Sequence, residues 1–260
     1  MIFSVTAITA FISAFFTLCL AIVLYLGSKE TSPRAFGVFT AIGSFWVATR
    51  GFLYAIPPEN IALATNMNKL SFFVGTLVAA SFVYFGLSYP SNTKPSQSKL
   101  LLMGLSVLIL LPIYFFDDLF LGKAIYVGGS GGLQRFAWEQ GPYLPFYDLV
   151  FFGMWMWGIT AIFINAHKED LDEEKRRLSM FMFWSTLVGL VPLSFASLIL
   201  PRLFNYFALD WSSPFAVSIW VGLVSYSVVK FKDMKVRYEL SELYILACSI
   251  LLFINIFLPY

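Results

Sequence analysis

Apolar runs of roughly twenty residues alternate with short polar connections along nearly the whole chain, and that is the length one helix needs to cross a bilayer's hydrocarbon core. The runs are Ile2–Leu26, Ala35–Ile56, Asn66–Tyr89, Leu100–Phe116, Tyr147–Asn165, Leu178–Leu200, Pro214–Val229 and Leu243–Pro259. A weaker lead-in, Ile61–Thr65, precedes the third, and Pro57-Pro58-Glu59-Asn60 turns the chain before it. Pro192 is expected to kink the sixth. The pattern predicts an all-α, polytopic membrane helical bundle: seven strong spans plus an eighth that is apolar enough to cross. The first run has no basic flank ahead of it and is longer than the core of a signal peptide, so it reads as a retained helix.

One stretch departs from the helical pattern. Between spans four and five, Asp117–Pro145 carries two β-favouring runs, KAIYV and LQRFAW, around GGSGG. That arrangement predicts a short β-hairpin with a glycine-rich turn.

Charge orients the bundle. Ala166–Ser179 holds Lys168, Glu169, Asp170, Asp172, Glu173, Glu174, Lys175, Arg176 and Arg177 between two apolar runs, so it must lie in water. Short loops rich in Lys and Arg stay on the cytoplasmic side. With this loop inside, alternate connections place Lys29, Arg34, Lys94, Lys99, Lys168, Lys175, Arg176, Arg177, Lys230, Lys232, Lys235 and Arg237 on the same side. Arg50, Lys69, Lys123, Arg135 and Arg202 fall on the other. The expectation is a cell-membrane protein with its N-terminus outside and the hairpin extracellular. Glu173 and Arg177, four apart, favour a short helical extension within the charged loop.

Composition closes off other classes. At 59% hydrophobic, 12% charged and a mean hydropathy of +0.78, the chain is far too apolar for a soluble domain. A net charge of +2 with no basic, aromatic-laced patch argues against nucleic acid. Cys19 and Cys248 lie in apolar runs as small hydrophobes, with no disulfide or metal-ligand spacing. No span carries HExxH, a Ser/His/Asp set or paired carboxylates, and span seven has no mid-membrane lysine for a Schiff base. No catalytic residue, metal or cofactor is expected. His167, the single histidine, lies beside charges and reads as solvated. Asp117-Asp118 has too few companion oxygen ligands for a cation site.

Arg50 is the residue most in need of an explanation, since a guanidinium within a span costs a few kcal/mol unless it snorkels or is paired. One reading sends it to the interface. The other pairs it with Asp148, at similar depth, in a pocket walled by Trp46, Tyr54 and Trp155. Asn68, Lys69, Arg135 and Glu139 are further ligand-binding candidates, although outer charges are usually just solvated.

From Gly141 onward the motifs are GPYLPFYDLVFFGMWMWGITAIFINAHK, then EEKRRLSMFMFWSTLVGLVPLSFASLILPRLFNYF, then SSPFAVSIWVGLVSYSVVKFKDMKV. Earlier comes LSFFVGTLVAASFVYFGLSYP. Together they resemble the N-terminal seven-transmembrane sensor region of bacterial histidine kinases. The resemblance covers most of Ala35–Val236 and implies a sensor domain over residues 1–236 that perceives an extracellular or membrane signal. Residues 237–260 would add a transmembrane helix toward an output domain. The family's phosphoacceptor histidine and ATP-binding domain have no counterpart here, so the chain is not expected to be an enzyme. Expected partners are the lipid bilayer, a cytoplasmic kinase domain or kinase partner, an unidentified small ligand, and a second copy of the chain in a homodimer. A small-solute transporter or channel, and a structural membrane subunit, are the competing readings.

Overall fold

A computed structural model describes residues 4–112, 119, 121–128, 135–168, 171–194, 199–200, 204 and 212–230. Among them are seven helices and one hairpin: α1 (Val5–Leu26), α2 (Thr31–Ala55), α3 (Ile61–Ser88), α4 (Gln97–Leu110), β1 (Leu121–Gly128), β2 (Arg135–Gln140), α5 (Leu144–Ala166), α6 (Glu173–Ser194) and α7 (Ser213–Lys230). Of these, α1, α2, α3 and α5 are long and apolar enough to cross a membrane, and α4 and the first part of α7 are shorter apolar helices. The eighth predicted span, Asp117-Asp118 and most of the RLFNYFALDWSS loop lie outside the described residues.

The helices form a ring. Each of α1, α2, α3, α5, α6 and α7 packs on the next, and α7 closes against α1 and α2. Helix α4 lies outside this ring against α3 and α5. It therefore leaves Leu101, Leu102, Leu105, Leu108 and Ile109 exposed, as lipid-facing side chains should be. At the centre, Phe36 and Phe39 of α2, Phe82 and Phe85 of α3, Trp155 of α5 and Trp220 of α7 interlock, with Phe82 4.7 Å from Trp155 and Phe39 5.4 Å from Trp220 between ring centroids.

Several helix limits differ from those read in the sequence, each for a local reason. Helix α2 begins at Thr31 rather than Ala35, because its polar first turn is held in place. Ser32 Oγ donates to the Ser88 carbonyl at 2.8 Å, and the Ser32 N–H donates to Asn92 Oδ1 at 3.2 Å. Arg34 Nε donates to the Ser28 carbonyl at 2.8 Å, with its guanidinium over Tyr25. Helix α3 starts at Ile61, so the lead-in belongs to it. At 28 residues it is about 42 Å long and overshoots the hydrocarbon core by more than two turns. That overhang carries the hairpin: the Ala124 N–H donates to Thr65 Oγ1 at 3.0 Å, and Ala64 packs with Leu53, Ile56, Ala124 and Phe136.

The hairpin is antiparallel, pairing Leu121 with Gln140, Ala124 with Trp138, Tyr126 with Phe136 and Gly128 with Arg135, with two irregularities in register. Gly128, at φ +97°, takes the left-handed conformation that a side chain would resist. Helix α5 starts a turn earlier than expected, at Leu144, with Pro145 in its first turn, where a missing N–H costs nothing.

Another boundary shifts at the charged segment. Helix α6 begins at Glu173 rather than Leu178, so most of the basic cluster is helical. Asp172 starts it: Oδ1 accepts the Lys175 N–H at 2.8 Å and Oδ2 meets Lys175 Nζ at 2.9 Å. The Lys175 amide, then its ammonium, hold the Asp172 carboxyl below the usual carboxylate range. A depressed carboxylate stabilises the folded form above its unfolded pKa and loses that contribution as the proton returns. Protection of the Lys175 amide against hydrogen exchange, taken relative to the intrinsic rate at each pH, should therefore be full at neutral pH and diminish as the pH falls below about 4. The Asp172→Asn variant should remove that dependence.

Candidate functional site

Three stripes of side chains, one on each of three helices, define a buried layer near the hairpin end. On α2, Trp46 and Arg50 lie one turn apart. On α3, Asn68, Phe72 and Gly75 follow one another at turn spacing, as Asp148, Phe151 and Trp155 do on α5. Contacts lock the stripes in register. A Cβ on Gly75 would stand 3.5 Å from the Trp46 indole nitrogen and 3.9 Å from the Phe151 ring, so these three residues meet. Phe72 packs on Tyr147 at 5.3 Å, and Tyr147 stacks on Phe151 at 5.6 Å. The Tyr147 hydroxyl donates to the Phe72 carbonyl at 3.1 Å.

One turn closer to the hairpin than this aromatic floor come Arg50 and Asp148, with Asn68 two turns above Gly75. Helical rise puts the three within about one further turn of one another along the bundle. Above them, Leu53, Ile56, Ala64, Ala124 and Phe136 make an apolar roof. A polar layer is thus enclosed between rings below and the hairpin's seat above.

Burial decides how Arg50 behaves. It is only 6% exposed, so it does not snorkel to the interface; its guanidinium lies 5.7 Å from the Tyr54 ring centroid. Lys69 is equally buried at 6% and Asn68 is 2% exposed, so this pair is not solvated as outer charges ordinarily are. Asp148 is half-buried. None of Arg50, Lys69 and Asp148 is without a partner. Burial of this kind is tolerated in a membrane only where charges face the bundle interior and compensate one another.

The remaining predicted residues are dispersed. Tyr54 packs toward α1 with Ala7, Ala55 and Phe11. Trp155 lies a turn below Phe151, in the central aromatic core. Glu139 is exposed on β2 and approaches Gly122 across the hairpin, and Arg135 stands at the start of β2 opposite Gly128. His167 caps α5 in the open, its ring 4.3 Å from Phe163. Among the described residues no group of three or more His, Cys, Asp or Glu could hold a metal ion.

Sequence reasoning missed a second polar node, at the opposite end. Asn165, 8% exposed at the end of α5, donates through Nδ2 to the carbonyls of Gly86 at 3.2 Å and Tyr89 at 2.8 Å. Those carbonyls belong to the last turn of α3, where no helical N–H remains to satisfy them. With Ser32 bonded to Ser88, the connection ends of α2, α3 and α5 are joined through side chains. An amide near the end of an otherwise apolar run was the available signal.

A family model described as the N-terminal 7TM region of histidine kinase matches residues 9–236. The chain belongs to that family. The match runs from α1 through all the described helices, so this 7TM region is a multi-pass membrane bundle, and no kinase domain is found in the chain. No curated protein and no solved structure matches it. Both polar nodes, the hairpin-end layer and the Asn165 clamp, lie within the matched 7TM region.

Proposed function

We propose that this 7TM region is the receiving part of a two-component signalling system, and that the signal acts on the layer of Arg50, Asn68, Lys69 and Asp148. The observation that carries the reading is the burial of two cations, Arg50 and Lys69, near the hairpin end, with the half-buried carboxylate of Asp148 on a third helix. Such a layer stores electrostatic free energy that a bound molecule, or a change in the membrane, can rebalance. A stimulus shifts helices only through a difference in affinity for two arrangements. Helices α2, α3 and α5 run from the layer to the Asn165 and Ser32 contacts, and so link it to the connection end. In this reading the N-terminus and hairpin are extracellular, in keeping with the basic connection at Lys175–Arg177, and the output is a kinase domain or kinase partner on the cytoplasmic side. A homodimer is the assembly in which such a receiver would act. The span at 243–259 would lead toward the output element.

A solute path is less well supported. The hydroxyls that face one another at depth are neutral and close on backbone carbonyls: Ser13 meets Ser218, which donates to the Pro214 carbonyl, and Thr76 shares the Phe72 carbonyl with Tyr147.

The test uses spin labels at Thr93 and Glu174, both exposed at the connection end, in a chain whose Cys19 and Cys248 are replaced by alanine. In nanodiscs, Arg50→Gln or Asp148→Asn should shift the distance distribution between the labels relative to the unsubstituted chain. An unchanged distribution in both variants, with melting temperature retained, would show that the layer does not communicate with the connection end.

A further inference from the structure

Gly43 lies on the inward face of α2, a turn from Phe39 on one side and a turn from Trp46 on the other. It is buried, yet a Cβ built on it would meet no atom of the described residues within 4 Å. Close-packed interiors leave few such gaps. The inward glycines Gly75, Gly86, Gly158 and Gly189 all have neighbours against that position. The space beside Gly43 therefore lies between two occupied levels. Below is Phe39, whose ring touches Phe82, Trp155 and Trp220. Above is Trp46, against Gly75 and close to Phe151.

Two of the bordering rings carry unused donors. Trp155 and Trp220 are 4% and 2% exposed and 5.6 Å apart between centroids, and neither indole Nε1 has a hydrogen-bond partner among the described residues. An indole N–H can only donate, and leaving it bare in an apolar interior is unfavourable. Water is a poor match, since the rings around it would accept neither of its own protons. A molecule with an apolar body and an acceptor, but no donor, satisfies what the walls present.

We propose that the space beside Gly43 is a binding chamber for a small, ring-sized apolar molecule bearing one hydrogen-bond acceptor such as a carbonyl, held by the indole N–H of Trp155 or Trp220. It deepens the receiver reading, on which it rests, by placing the ligand's body beneath the polar layer. Such a molecule reaches the chamber by partitioning into the bilayer, and it would act on α2, α5 and α7 together.

The experiment uses the full chain in nanodiscs with nitrogen-15 in the indole rings, whose seven side-chain N–H resonances report on the seven tryptophans. Trp155→Phe and Trp220→Phe assign the two that matter. Acetophenone should move at least one of them downfield in a saturable way, whereas ethylbenzene, of similar size without the acceptor, should not. Gly43→Ala adds a methyl to open space and should fold and still bind. Gly43→Leu should weaken binding about tenfold or more, because its side chain takes the ligand's volume. Gly43→Val is the graded substitute should the leucine variant fail to assemble. Absence of a saturable downfield shift, or a shift undiminished in a folded Gly43→Leu or Gly43→Val protein, would overturn the chamber. Arg50→Gln separates the two proposals. Retained shifts with silent spin labels would remove the polar-layer reading and leave the chamber standing, and shifts lost with Arg50 would place the molecule in the layer and remove the chamber.

Discussion

Replacing Gly158 with leucine is expected to prevent assembly of the bundle, at a cost of about 4 kcal/mol or more. Helices α3 and α5 touch backbone to backbone where Gly86 meets Gly158. A Cβ on Gly86 would fall 2.5 Å from the Gly158 carbonyl oxygen, and one on Gly158 would fall 2.6 Å from the Phe82 ring. Small residues drive helix association in lipid because close approach is the main source of attraction there. The two glycines should respond differently to milder changes. Gly158→Ala meets a side chain that can move, so Phe82→Leu should recover part of its loss. Gly86→Ala meets backbone, so no single side-chain change should rescue it. Melting in nanodiscs, followed by tryptophan emission, distinguishes these outcomes. Equal rescue of both by Phe82→Leu would show that the crossing is not set by backbone contact.

Asn165→Ala is the second substitution expected to be severe. Two α3 carbonyls, those of Gly86 and Tyr89, lose their side-chain donor in a buried position. Each buried acceptor left without a partner costs roughly 1–3 kcal/mol, so the loss should be about 2–6 kcal/mol. Asn165→Asp should be at least as damaging, because it sets a carboxylate against two carbonyl oxygens. Asn165→Gln keeps the amide but shifts it by a methylene, and should recover less than half. Amide exchange at Tyr89 and Asn92, whose N–H groups bond to Phe85 and Ser88, reads the fraying of the α3 end directly. Protection equal to that of the unsubstituted chain would mean that Asn165 is not the clamp.

How much of this was legible beforehand follows from the range over which each determinant acts. Hydropathy is local, so the spans, the hairpin around GGSGG and the family resemblance could be read from consecutive residues. The exact helix starts could not, because they depend on partners far along the chain. Thr31–Arg34 is polar enough to read as loop until Ser88 and Asn92 are seen to bond Ser32. Ile61–Thr65 looked weak until the hairpin was seen to pack on it. Arg50 and Asp148 stood out because charge in a span is costly in itself. Lys69 looked like an ordinary solvated end, since nothing in its sequence neighbours announces that it is buried. The Gly86–Gly158 crossing and the space beside Gly43 were illegible for a related reason. A glycine in an apolar run reads the same whether its missing side chain admits a backbone, a ring or nothing, and only packing separates the three.

The central claim is that Arg50 and Asp148 belong to one electrostatically coupled layer, and exchanging their charges tests it most directly. Arg50→Asp and Asp148→Arg should each lower the melting temperature in nanodiscs, and the double exchange should recover most of the combined loss, because coupled sites are not additive. A double variant whose loss equals the sum of the two singles would contradict the account.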